Sequence, residues 1–366
     1  MSPQDTAGIS RILAIETSCD DTSVAIVSGD GFVEACVSAD QNLVHAPFGG
    51  VVPEIASRNH TLHLLPLIDQ TLKNLNLSWH QIDGIAVTSR PGLIGSLLVG
   101  VITAKTLAQA FGKPLVGVNH LEGHILAPLL KDASYQPPIG FQFPFLSLAV
   151  SGGHTSLYYV QAPHQYQILG STRDDAAGEA FDKFGQMLGL GFPGGVHVDR
   201  YARTGDPHKY HFPRSFLGED SLDFSFSGLK SSASRLVQSM AADELLQNRE
   251  SLCASFQESI VDVLIAKLDL AYRKLNSKLP LKSVSITGGV SANSRLRAAA
   301  ESWSAGKKLV LAVPPLRYCT DNAAMIGGVG LRKLREGDFD SSNPQWVSLS
   351  PKAAWLPEDF QTGLVP

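Results

Sequence analysis

At 366 residues, with 44% hydrophobic and only 17% charged side chains, the chain is globular and long enough for two lobes with a full core each, which excludes a disordered or fibrous protein. A formal net charge of −4 gives no global attraction to nucleic acid or anionic lipid, so any nucleic-acid partner must be held by a local basic surface or by another subunit. Four scattered cysteines (Cys19, Cys36, Cys253, Cys319) lack paired metal-ligand spacing and read as reduced thiols. The leader before Arg11 has neither the apolar core of a signal peptide nor the arginines of a transit peptide, and no apolar run reaches membrane-spanning length. The expectation is a cytoplasmic protein with no membrane partner.

Residues 11–16 and 23–28 read as strands joined by the polar turn Thr17–Thr22, with a third strand near 32–38. A loop over 45–53 leads to a helix over 54–76, with Ile55, Leu62, Leu65, Ile68 and Leu72 as its apolar stripe and Pro66 as a kink or break. A strand over 84–89 turns through Arg90-Pro91-Gly92 into a helix over 93–111, which carries Gly95 and Gly100. After a strand over 114–118 comes His120-Leu121-Glu122-Gly123-His124. Asn119 is placed to cap that helix and Pro128 to stop it. Two histidines four apart share one helix face and can share a transition metal. Read from the residues alone, they remain either part of a metal site or two surface histidines.

The proline-rich stretch 131–144 is the expected crossing between lobes. A second hairpin, 145–150 and 156–160, surrounds Ser151-Gly152-Gly153-His154-Thr155. Helices follow at 175–189, after Pro193-Gly194-Gly195, and over 227–240 and 243–276. A strand over 283–287 runs through Gly288-Gly289 into a helix at 291–303. A last strand spans 308–313, and Thr320-Asp321-Asn322 caps a glycine-rich helix ending near Leu334.

Residues 12–27 (ILAIETSCDDTSVAIV) align without a gap on residues 145–160 (FLSLAVSGGHTSLYYV), an offset of 133 residues. Each copy is strand, small polar turn, Thr-Ser, strand, and each half ends in a strand followed by a glycine-containing helix, which indicates duplication. The expected arrangement is two lobes with a central cleft, a hairpin turn projecting from each side. Such turns present backbone N–H groups suited to a nucleotide phosphate, and the Gly288-Gly289 turn suits an adenosine.

This order of elements resembles the actin, sugar-kinase and Hsp70 ATPase superfamily, with α/β, ribonuclease H-like lobes. The segments 15–22 (IETSCDDT), 48–60 (FGGVVPEIASRNH), 120–124 (HLEGH), 150–155 (VSGGHT), 174–183 (DDAAGEAFDK), 224–230 (FSFSGLK), 288–293 (GGVSAN) and 319–322 (CTDN) together resemble the TsaD family of tRNA threonylcarbamoyladenosine transferases. The resemblance runs from about residue 11 to residue 335. It implies an N-terminal lobe over 11–142 completed by 321–340, a C-terminal lobe over 143–320, and tails at 1–10 and 341–366. It implies transfer of a threonylcarbamoyl group from threonylcarbamoyl-AMP to the exocyclic amine of the adenosine beside the anticodon. One divalent metal, iron or alternatively zinc, would be held by His120, His124 and Asp321. Substrate contacts would come from Ala149, Val150, Ser151, Gly152, Gly153, Asp182, Gly195, Asp199 and Asn293. The implied partners are tRNA, a TsaB-like paralogue and a TsaE-like ATPase; separately, the glycine-containing helix over 93–111 is the expected docking surface for a partner or, in the partner's absence, for a second copy of the chain.

Other chemistries fit the residues less well. A zinc protease needs glutamate directly after the first histidine; Glu122 comes one position later, about 200° round the helix from His120. A sugar kinase needs Asp-x-Gly-x-Thr in the first turn, where this chain has Thr-Ser-Cys-Asp-Asp-Thr. A chaperone-like ATPase would make a metal site superfluous. Asp182 also reads as a surface acid beside Lys183, His154 as a turn residue, and His45, His60 and His63 as solvated; Cys19 and Cys319 read as small buried thiols.

Overall fold

The computed structural model describes residues 8–217, 220–276, 279–337 and 348–354. Those within Met1–Pro137 and Thr320–Asp359 form one compact unit, and those within Pro138–Cys319 form another.

The first unit contains β1 (Arg11–Glu16), β2 (Thr22–Ser28), β3 (Phe32–Ala39), α1 (Asn42–His45), α2 (Pro53–Asn74), β4 (Gly84–Arg90), α3 (Ile94–Phe111), β5 (Leu115–Asn119) and α4 (His120–Leu126). The second contains β6 (Phe145–Val150), β7 (Thr155–Ala162), β8 (Gln165–Ser171), α5 (Ala177–Met187), α6 (Gly194–Ala202), α7 (Ser227–Ser239), α8 (Ala242–Asn276), β9 (Ser283–Thr287), α9 (Ser294–Lys307) and β10 (Val310–Ala312). The last helix, α10 (Ala323–Arg335), returns to the first unit.

The sheets run β3-β2-β1-β4-β5 and β8-β7-β6-β9-β10, so both have the order third, second, first, fourth, fifth. In each, the hairpin strands are antiparallel and the later strands parallel. The 133-residue offset holds in the pairing: Ile12 faces Val27 as Phe145 faces Val160, and Glu16 faces Ser23 as Ala149 faces Ser156. The fold class is therefore the expected one, two duplicated actin-like α/β lobes. β8 is an addition to the sequence reading. It is an edge strand that buries only Tyr166 and Gly170, too few to mark it by alternation.

Three details of the first unit narrow or alter the expectation. α2 passes through Pro66 without dividing. Its buried stripe is Ala56, His60, Leu64, Leu67, Ile68, Thr71 and Leu72, whereas Leu62 and Leu65 face solvent. The chain has two apolar series at helical spacing here, and the series containing two polar side chains is the one that packs. α3, with a mean hydropathy of 1.5, is long and apolar enough by length and composition to cross a membrane. It packs as a core helix, with Leu97, Gly100, Val101, Ala104 and Ala108 against β4 and α2.

With α2 and α3 on one face and α10 on the other, the central strands are buried on both sides, and β1 reads RILAIE with five buried residues. Small residues let α10 settle against the sheet. A Cβ on Gly330 would stand 2.3 Å from that of Ala86, and one on Gly123 of α4 would stand 3.0 Å from Met325. This seating positions Asp321, two residues before α10. We expect Gly330→Val to destabilise the chain by about 1–3 kcal/mol through overpacking, read as a lower urea midpoint at unchanged slope. An unchanged midpoint would show that α10 is not seated this way.

Candidate functional site

His120 and His124 lie one turn apart on α4. The side chain of Asn119 caps that helix, accepting from the Leu121 N–H at 2.9 Å. Asn322 caps α10 in the same way, accepting from the Met325 N–H at 3.0 Å, and this fixes Asp321 just outside the helix. The three side chains converge. His120 Nε2 and His124 Nε2 are 3.1 Å apart, and Asp321 Oδ1 lies 3.3 Å and 3.1 Å from them.

Protons alone serve this triangle poorly: were both rings to donate to Asp321 Oδ1, their two N–H groups would lie 3.1 Å apart. The triangle has the size that a common cation requires. Nitrogen and oxygen ligands about 2.0–2.2 Å from a metal stand roughly 3 Å apart. The donor set of two imidazoles and one carboxylate suits a divalent transition ion.

Glu16, at the end of β1, is fully buried behind this triangle. Its Oε2 accepts from His120 Nδ1 at 3.0 Å and from the Thr88 hydroxyl, and its Oε1 accepts from the Ser18 N–H. The Ser18 hydroxyl lies 3.1 Å from the same His120 nitrogen. A histidine whose Nδ1 is held by a carboxylate presents its Nε2 lone pair outward, as an imidazole that ligates a metal commonly does.

The charges favour a cation at this point, whether a proton on His120 or a metal. Burial alone would lower the pKa of His120, but Asp321 and Glu16 outweigh it and hold the ring well above its usual value. Burial would raise both carboxyls; His120 outweighs it at Glu16, and His120 with His124 holds Asp321 well below the usual range. Asp21, in the turn after β1, has no such cation. Burial, then the charges of Asp321, Asp20, Asp40 and Glu16, push it up to about 8. The first turn and its surroundings form a negative basin suited to a cation.

Glu122 faces away from the triangle. It is buried, with Lys333 Nζ of α10 at 3.7 Å, so the geometry of a zinc protease is absent from these residues. His45 and His60 are fully buried, against the expectation of solvated rings; His63 is exposed. His45 bonds to Gln41 and the Val52 N–H. His60 Nε2 donates to the Cys19 carbonyl at 2.9 Å, and its Nδ1 accepts from Thr22 at 2.8 Å, pinning the first turn. Cys319 is buried and Cys19 half-buried, and burial raises both thiols.

The other expected site residues lie in the second unit. Ala149 and Val150 end β6, and Ser151–Gly153 form the turn beyond, where a Cβ on Gly152 or Gly153 would meet nothing within 4 Å. The Gly288 turn after β9 passes directly beside the Val150 carbonyl. Two parallel strands thus end side by side in small-residue turns, the usual place for a ligand in an α/β sheet.

The polar members hold helix starts. Asp182 Oδ1 accepts from the Gly195 N–H at 2.9 Å. Asp199 Oδ1 accepts from the Ser294 N–H and hydroxyl at 3.0 and 2.7 Å, while its Oδ2 accepts from Arg203. Asn293 caps α9 through its oxygen and donates its Nδ2 to Gln257 at 2.6 Å. Sequence reasoning assigned no part to Glu16, Ser18, His60 or Gln257. The first two sit in the quoted IETSCDDT segment, which was the available signal.

Comparison with known proteins gives a consistent answer. A family model described as TsaD, tRNA N6-adenosine threonylcarbamoyltransferase, matches residues 33–328. A protein of that name from Bdellovibrio bacteriovorus is 54% identical over 96% of this chain and all of its own length. Another from Anaeromyxobacter dehalogenans is 48% identical over 92% of this chain and 99% of its own. Among solved structures, T. kodakarensis HypF shares the fold, with TM-score 0.58 at 11% identity, over 90% of this chain and 48% of HypF.

The raised pKa of Asp21 has a definite sign in stability. Below pH 4 the carboxyl is protonated both folded and unfolded; as pH climbs toward 8 it ionises only in the unfolded chain, and stability falls. We expect the metal-free chain to lose stability between pH 4 and 8 relative to Asp21→Asn, measured by urea unfolding across that range. Parallel pH profiles would contradict the negative basin.

Proposed function

The chain belongs to the TsaD family of tRNA N6-adenosine threonylcarbamoyltransferases and is a tRNA-modifying transferase, and from that premise we propose its donor, acceptor and metal. The donor is threonylcarbamoyl-AMP. The acceptor is the exocyclic amine of the adenosine adjacent to the anticodon in tRNAs that read codons starting with adenine. The amine nitrogen bonds to the carbamoyl carbon, the bond from that carbon to the phosphate oxygen breaks, AMP leaves with the electron pair, and the amine loses a proton.

The observation that carries this reading is the triangle of His120, His124 and Asp321 backed by Glu16. Bound there, Fe2+, or Zn2+ in its place, would supply a Lewis acid to a substrate oxygen. Glu16 and Ser18 keep His120 in the tautomer that offers Nε2. In the second unit, backbone at Ala149, Val150, Ser151, Gly152 and Gly153 and at Gly195 is the proposed cradle for the adenylate. Asp182, Asp199 and Asn293 act there chiefly by fixing where α6 and α9 begin. An adenylate already carries a good leaving group, so alignment of the amine supplies much of the rate.

The proposed partners are a TsaB-like paralogue and a TsaE-like ATPase, in the cytoplasm. Ile94, Leu98 and Ile102 form an exposed apolar line on α3, which supports that helix as the paralogue's docking face and as the dimer contact when the paralogue is absent.

The test supplies threonylcarbamoyl-AMP, unmodified tRNA and active partners, then detects the modified nucleoside by mass after digestion. Wild type should form product. His120→Ala should lose about 100-fold or more, the loss that several kcal/mol of missing stabilisation implies. Glu122→Gln should stay within about threefold, because Glu122 faces α10. Product from neither wild type nor variants would contradict the donor and acceptor named here.

A further inference from the structure

Residues 348–354 lie past the last helix, outside the span that the family model matches, and no motif marks them. They return to the first unit as a short strap. Leu349 packs against the core between the first sheet and α2 and α3, close enough to β5 that a Cβ on Gly117 would stand 2.5 Å from its Cδ1. The Lys352 N–H donates to the Ser89 carbonyl at 2.9 Å, and the Gly92 N–H donates to the Ala353 carbonyl at 3.2 Å. The strap therefore ties down both ends of the turn that contains Arg90 and Pro91.

The other side of that turn holds Ser18. The Leu93 N–H donates to the Ser18 carbonyl at 2.8 Å, and a Cβ on Gly92 would stand 2.5 Å from that oxygen and 2.8 Å from the Ser18 Cβ. Gly92 is thus held between the strap and Ser18, with no room for a side chain on the side of the latter. Ser18 in turn reaches His120 twice: directly, with its hydroxyl 3.1 Å from Nδ1, and through Glu16, whose carboxylate takes both the Ser18 N–H and His120 Nδ1.

We infer that the strap 348–354 is a positioning element for His120, acting through Gly92 and Ser18 and touching none of the three converging donor atoms. The inference rests on the proposal that His120, His124 and Asp321 hold a metal. His124 is set by α4, and Asp321 by the cap of α10. His120 alone also depends on the first turn, which the strap backs. Lifting the strap leaves two donors in place and loosens the third. A tie that served only stability would lower the unfolding midpoint and leave the metal affinity of the folded chain unchanged.

The test compares metal-stripped wild type, Leu349→Ala, Lys352→Pro and His120→Ala. Lys352→Pro deletes the N–H that donates to Ser89, at a residue whose side chain is exposed. Zn2+ affinity is measured by competition with a chromophoric chelator, well below the thermal midpoint of each folded variant. Outer partners of metal-bound histidines typically matter by about 10–100-fold, so the strap variants should bind Zn2+ roughly 10-fold more weakly than wild type, and His120→Ala more weakly still. Strap variants that fold and bind Zn2+ as wild type does, while His120→Ala does not, would overturn the inference and leave the metal centre standing. A wild type that binds no Zn2+, or binds it equally well without His120, would overturn the metal centre and the inference together.

Discussion

The structure depends on one buried interaction, that between Glu16 and His120. A carboxylate with no solvent exposure is costly unless each oxygen is satisfied, and here both are, by the Ser18 N–H, the Thr88 hydroxyl and His120 Nδ1. These bonds join the end of β1, the end of β4 and the start of α4. They fix the tautomer of His120 and aim its other nitrogen at His124 and Asp321. The surplus of negative charge left around the first turn is what a bound cation would neutralise.

Around that interaction the chain places rigid supports. α10 sits on the first sheet through small residues and delivers Asp321 from a helix cap, and His60 holds the first turn from α2. The second unit repeats the architecture, but Ala149 stands where the first unit has Glu16, and Gly152 and Gly153 leave open space where it has Cys19 and Asp20. Duplication thus yielded two turns of the same register and different chemistry: one that gathers acids and histidines, and one that leaves room beside backbone.

What was legible in the sequence was mostly local or periodic. The four-residue spacing of His120 and His124 fixes a shared face whatever surrounds it, and the gapless 133-residue repeat carried the strand register of both hairpins. What was hidden was mostly tertiary. His120 and Glu16 are 104 residues apart, and no local pattern pairs them. The buried face of α2 includes His60 and Thr71, so an apolar stripe through Ile55, Leu62, Leu65, Ile68 and Leu72 meets that face only at Ile68 and Leu72. His45 and His60 looked solvated because a histidine satisfied by two hydrogen bonds leaves no compositional trace. Asp199 and Asn293 also hold the start of α9, and that role depends on side chains from α6 and α8 that only the fold brings near.

The most direct measurement is X-ray absorption spectroscopy at the zinc edge of the zinc-loaded chain, compared with Asp321→Asn. A centre of His120, His124 and Asp321 requires a shell of nitrogen and oxygen only, at about 2.0–2.2 Å, with multiple scattering from two imidazoles and a changed shell in the variant. A sulfur shell at about 2.3 Å, or a wild-type spectrum unchanged by Asp321→Asn, would place the metal elsewhere and contradict the account.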